Sequence, residues 1–182
     1  MQQGNFAYGE ASSLADLECY LGARLLWNPY QDENVIIDDF INGVYGSECY
    51  PFIREYVDLL CDSLEGNELT LYQNSDAGYI TDLLVKKAEE LFLKALSVVK
   101  TAKSRWYLEK EYLSVLFMKA SRMPLENPDR RILIDKLYED VKKFGITEIR
   151  ERTNLDITFE NLRNSRYAAS SENEYSLYYI MK

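Results

Sequence analysis

The 182 residues of this chain include no histidine. That absence removes Ser/His and Cys/His nucleophile pairs, imidazole general bases and the commonest zinc and iron ligand in one step. Neither a P-loop nor a dinucleotide-binding glycine pattern occurs, so no phosphate cradle is indicated. Cys19, Cys49 and Cys61 form no CxxC pair and encode neither a zinc site nor a disulfide framework. Each sits among helical apolar positions and is expected to be a small buried hydrophobe.

Carboxylates remain, and glycosidases place two of them about 5 to 10 Å apart across a sugar. The adjacent pairs Asp38-Asp39 and Glu89-Glu90 fall on helices, where successive side chains diverge by about 100°, so they read as solvated faces. Glu109 stands apart, because helical spacing sets it between Trp106 and Leu113 on an apolar side. An ion pair with Arg105 one turn earlier, or with an arginine of another helix, is expected there ahead of catalysis. Fifteen Tyr and two Trp offer aromatic faces for sugars, but most follow core spacing. The exception is the strip QQGNFAYGE, where Gln2, Gln3, Phe6, Tyr8 and Glu10 mix polar and aromatic groups ahead of any helix. It is a candidate ligand loop, with Gln3, Phe6, Tyr8 and Glu10 as substrate-binding residues. No residue is assigned a catalytic role, and no metal or cofactor is indicated.

Helices must position these groups. Ser13 and Asp16 fit a capping box ahead of a helix with Leu14, Leu17, Leu21 and Leu25 in step, and Pro29 stops it. Asp32 can cap the next, with the stripe Ile36, Ile37, Phe40, Ile41 and Val44 before Gly46. Ser47 opens a third, in which Pro51 is tolerated in the first turn. After the polar stretch EGNELTLYQNSDAG, read as a loop, Leu84, Ala88, Leu91, Ala95 and Val98 step along a fourth helix, with Lys86, Lys87, Glu89, Glu90 and Lys94 outside. The fifth, over SRWYLEKEYLSVLFMKAS, is apolar almost all round between Tyr112 and Met118, as a central helix would be. Asn127 and Pro128 start a sixth that runs to Gly145. Residues 146–167 read as a short helical turn and one more helix. The fold class expected is all-α, an antiparallel bundle of about seven helices, with an N-terminal loop over 1–12, the bundle over 13–167 and a C-terminal tail over 168–182.

At 47% hydrophobic and 28% charged residues the composition is that of an ordinary globular domain. No apolar run approaches the roughly 18 residues that span a bilayer, and the first residues lack the regions of a signal peptide, so neither membrane insertion nor export is expected from them. The net charge of −9 is uneven. Residues 1–82 hold 15 Asp/Glu against Arg24 and Arg54, and residues 83–182 hold 15 against 19 Lys/Arg, which is −13 followed by +4. The acidic surface argues against nucleic acid. Complementary packing of the two halves accounts for the asymmetry.

Between residues 17 and 60, Leu-Leu-Trp-Asn-Pro, an Asp, Ile-Ile-x-x-Phe, Tyr-Gly and Pro-x-Ile-x-x-Tyr follow in order. This sequence resembles the C-terminal part of a bacterial glycoside-hydrolase-like family, domain of unknown function 4838, itself similar to α-glucuronidase and β-hexosaminidase barrel enzymes. Phe144-Gly145-Ile146-Thr147 followed by Glu151, and the helical stretch from Leu83 to Ala120, extend the likeness over most of residues 3–155. The resemblance implies that Gln3-Gly4-Asn5 follow the last barrel strand, that residues 13–26 are the last barrel helix, and that the acid pair belongs to earlier strands absent from this chain. It also implies a periplasmic or extracellular setting for the parent protein. Trp27, Asn28, Pro29, Tyr45 and Gly46 are then a structural joint: Pro stops one helix, Gly permits a left-handed turn after the next, and Trp27 and Tyr45 plug the corner.

The expected function is a non-catalytic helical C-terminal module of a glycan-degrading protein. Its partners would be the missing barrel domain, or further copies of itself through the apolar surface left exposed, with carbohydrate a further candidate. The alternative is a stand-alone interaction module whose acidic half recruits a basic partner.

Overall fold

The structure, a computed structural model, describes residues 13–66, 78–150 and 153–164. Among them seven helices follow in order: α1 (Ala15–Trp27), α2 (Glu33–Tyr45), α3 (Tyr50–Leu64), α4 (Asp82–Val98), α5 (Ala102–Arg122), α6 (Pro128–Lys143) and α7 (Leu155–Asn164). The all-helical bundle expected from periodicity is the observed architecture. One correction concerns residues 146–154. In place of a helical turn, β1 (Glu148–Arg150) and β2 (Thr153–Asn154) pair antiparallel ahead of α7.

Helix starts follow local chemistry. Asp32 accepts the Asn34 N–H at 2.9 Å, Thr81 accepts that of Leu84 at 3.1 Å, and Asn127 accepts that of Asp129 at 3.0 Å. Each side chain satisfies an N–H that has no partner inside its helix. Pro51 and Pro128 occupy first-turn positions, where the missing N–H costs nothing. Only three residues join α4 to α5 and five join α5 to α6, which turns each pair antiparallel.

The apolar side chains gather in two clusters that share α5. Leu108, Val115 and Met118 face the larger cluster, built with Ile41, Ile53, Tyr56, Leu84, Leu91 and Phe92 of α2, α3 and α4. Leu113 and Ala120 face a second one with Ile134, Leu137, Val141, Phe159 and Leu162 of α6 and α7. A helix pressed from both sides must be apolar on both, which is why α5 lacks a single stripe. Arg130, only 2% exposed, links the second cluster's elements by donating to the carbonyls of Ala120 at 3.1 Å and Leu162 at 2.6 Å.

The acidic and basic halves meet through Lys87 and Glu55 at 2.7 Å and through Lys110 and Asp16 at 3.9 Å. Two other expectations are revised. Cys49 is buried as a small hydrophobe, but Cys19 and Cys61 lie on exposed positions of their helices. Glu89 is no solvated face: its carboxylate takes both oxygens to Lys119 Nζ of α5, at 2.6 and 2.8 Å.

Candidate functional site

The joint between α1 and α2 is fixed by short-range bonds. Asn28 leaves the helical region, and its Oδ1 accepts the Tyr30 N–H at 3.1 Å, a side-chain turn for which Asn is suited. Arg24 closes the turn from behind. Its Nε and Nη2 donate to Gln31 Oε1 at 3.1 and 2.8 Å, and its Nη1 donates to the Tyr20 hydroxyl at 2.7 Å. After α2, Gly46 adopts φ 90° and ψ 151°, outside the left-handed helical region and open in practice to glycine alone. A β-carbon there would also stand 3.0 Å from the Glu48 carboxylate, which accepts the Lys100 N–H at 2.9 Å. In place of the left-handed turn expected there, Gly46 takes an extended positive-φ conformation.

Trp27 and Tyr45 do not share a corner: Tyr45, 3% exposed, is buried at the far end of α2 against Asp16 near the start of α1, while Trp27, at the joint itself, is 90% exposed. The physical reason is its place as the last residue of α1, two positions past Leu25 and so about 200° round the helix from it, and Leu26 and Tyr30 are exposed with it.

Behind Tyr45 lies a polar constellation that centres on Glu111 of α5. Its Oε1 accepts the Leu14 N–H at 2.7 Å and the Ser13 hydroxyl at 3.1 Å, while Ser114 Oγ stands 3.4 Å away. The Ser13 hydroxyl is in turn 2.7 Å from that of Tyr56, whose side chain is fully buried. Donation from Tyr56 to Ser13 and from Ser13 to Glu111 makes one continuous relay. This corrects the capping box expected at Ser13: the hydroxyl leaves its own helix for α3 and α5, no side chain caps α1, and Leu14 sits at φ 58° with its N–H held by Glu111.

The electrostatics follow from enclosure. Burial, opposed in part by the Leu14 N–H and the Ser13 hydroxyl, pushes the Glu111 carboxyl up from 4.5 to about 7. Tyr45 and Tyr56 are raised as well, by burial first and then by the nearby Glu111 charge. Asp16, Tyr45, Lys110 and Glu111 line a cavity of about 30 Å³ against the apolar wall of Phe117, Val141 and Ile146. Such a space admits a water or two, well short of the several hundred Å³ typical of a ligand pocket.

Sequence spacing pointed to Glu109 on this helix, and Glu109 forms the expected pair with Arg105, Oε1 to Nη1 at 3.8 Å, with both side chains well exposed. Glu111 was missed, although a signal existed. Leu108, Glu111, Val115 and Met118 step by three, four and three, so this acid falls in the buried stripe facing the larger cluster. Gln3, Phe6, Tyr8 and Glu10 lie outside the described residues. Among the described residues no group of three or more His, Cys, Asp or Glu converges as a metal site, and no helix is long and apolar enough to cross a membrane.

Residues 1–58 match the family described as Domain of unknown function (DUF4838). The match takes in α1, the joint, α2 and the first part of α3, and leaves Leu83 to Ala120 and Phe144 to Thr147 outside it. Neither a curated protein nor a solved structure matches the chain.

Proposed function

We propose that the chain is the helical, non-catalytic C-terminal module of a glycan-degrading protein, shaping or buttressing an active site built elsewhere. The observation that carries this reading is the size of the space that Asp16 and Glu111 share. A glycosidase pair must flank a sugar ring, and about 30 Å³ leaves no room for one. Glu111 is moreover committed to Leu14 and Ser13, which makes it a fastening for the start of α1. The family match over residues 1–58 adds support, as does the order of motifs around the joint, and the substrate class is what the sequence resemblance implies. Release of nitrophenol from a panel of aryl glycosides by the purified chain tests it: none is expected, and release would overturn the non-catalytic reading.

A second reading, a stand-alone interaction module with an acidic surface, is favoured by Leu26, Trp27, Tyr30 and Val35, whose exposed apolar side chains sit beside Asp32 and Glu33. Retention of purified complexes with a basic protein at low but not high salt would support it.

A further inference from the structure

Two surface features of opposite character are left without an occupant by the glycan-module reading. One is the corner between α1 and α2, where Trp27 is 90% and Tyr30 94% exposed with Leu26 and Val35 beside them. Its charge is net acidic, since the exposed Asp32 and Glu33 outnumber the one nearby cation, Arg24, whose guanidinium is held against Gln31 and Tyr20. The other is a groove of about 320 Å³ between the start of α4 and the end of α5, with apolar walls from Val85, Met123 and Pro124. Lys86, Lys119 and Arg122 rim it. Glu89 pairs with Lys119 and Asp82 with Arg122, which leaves one cation in excess.

We propose that the occupant of the groove is the Trp27–Tyr30 corner of a second copy of this chain. Size and chemistry agree: the volume reaches the range of small-ligand pockets, enough for an indole, and Met123 offers the polarizable sulfur that packs well on aromatic rings. Lys86 supplies the excess cation that an aromatic face and the Asp32–Glu33 rim attract, with Arg122, paired to Asp82, on the same rim. Charge also decides the symmetry. Two corners meeting face to face would set Asp32 and Glu33 of one copy against those of the other, a juxtaposition that costs association. Corner to groove pairs acid with base, so the contact is heterologous, and the assembly keeps a free corner at one end and a free groove at the other. This holds whether or not the parent protein degrades glycans.

Sedimentation velocity over about two decades of concentration tests it. The expected result is a sedimentation coefficient that rises with concentration beyond that of a dimer and falls back as salt is raised from about 0.05 to about 0.5 M. Trp27→Ala, at an exposed position and so folded by circular dichroism, should weaken association at least about tenfold. Lys86→Glu with Arg122→Glu should do the same. An equimolar mixture of the two variants retains one intact corner and one intact groove, and should form a 1:1 dimer that goes no further. A monodisperse monomer throughout, association that survives Trp27→Ala, or a mixture that stays monomeric would each overturn the proposal.

Discussion

The Glu111 carboxylate on α5 accepts the backbone N–H of Leu14 at 2.7 Å, across 97 residues of chain, and so ties the start of α1 to the centre of the bundle. Its raised pKa gives this tie a pH signature. Below about 4.5 the carboxyl is protonated folded or unfolded; between 4.5 and about 7 the unfolded chain ionises while the folded one keeps its proton. The folded state then binds more protons, so stability falls as pH rises through this window, and the penalty is complete above about 7. Its size is on the order of 2 to 3 kcal/mol, discounted for the water that the cavity admits. Glu111→Gln keeps an acceptor for Leu14 and removes the charge. Urea denaturation from pH 5 to 8 should therefore show a flatter profile and a relative gain above pH 7; a slope unchanged from the parent chain would contradict the assignment.

Truncation at the same position acts in the opposite direction. Glu111→Ala leaves the Leu14 N–H and the Ser13 hydroxyl without their acceptor, and should cost about 2 to 4 kcal/mol. Hydrogen exchange should localise the loss: amides of the first turn of α1 are expected to open before those of α5.

Gly46→Ala introduces a side chain where φ is 90° and where the Glu48 carboxylate stands in its path. A destabilisation of about 2 kcal/mol or more is expected from the backbone alone. Adding Glu48→Ala should recover the steric part and not the conformational part, so the double variant is predicted to remain less stable than Glu48→Ala by thermal melting.

Arg130→Met retains much of the volume and removes both donors to the Ala120 and Leu162 carbonyls. A loss of about 2 to 4 kcal/mol is expected, because two enclosed acceptors lose charged donors. Proteolysis within α7 at native conditions should accelerate more than proteolysis within α2, since only the second cluster is held by this residue.

Legibility in the sequence tracked how local the determining interaction is. Asp32, Asn127, Pro51 and Pro128 signal their helix starts because a cap acts within three residues, and all four do what their positions imply. The all-round apolar character of α5 revealed its central place, since contact on both sides leaves that mark. Ser13 looked like a cap because Asp16 follows three residues later, but its hydroxyl answers to Tyr56 and Glu111, 43 and 98 residues away. Trp27 reads as a plug by hydrophobicity alone, and only the rotation of α1 about its axis, set by Leu17 against the core, turns it outward. The hairpin over residues 148–154 is too short to show alternation.

The proposal that glycan-cleaving acids lie outside this chain is tested most directly by aryl-glycoside hydrolysis with the purified 182-residue chain. No nitrophenol above the uncatalysed background is predicted, with parent chain and Glu111→Gln indistinguishable. Turnover by the parent chain that disappears in Glu111→Gln, while circular dichroism shows both folded, would contradict it.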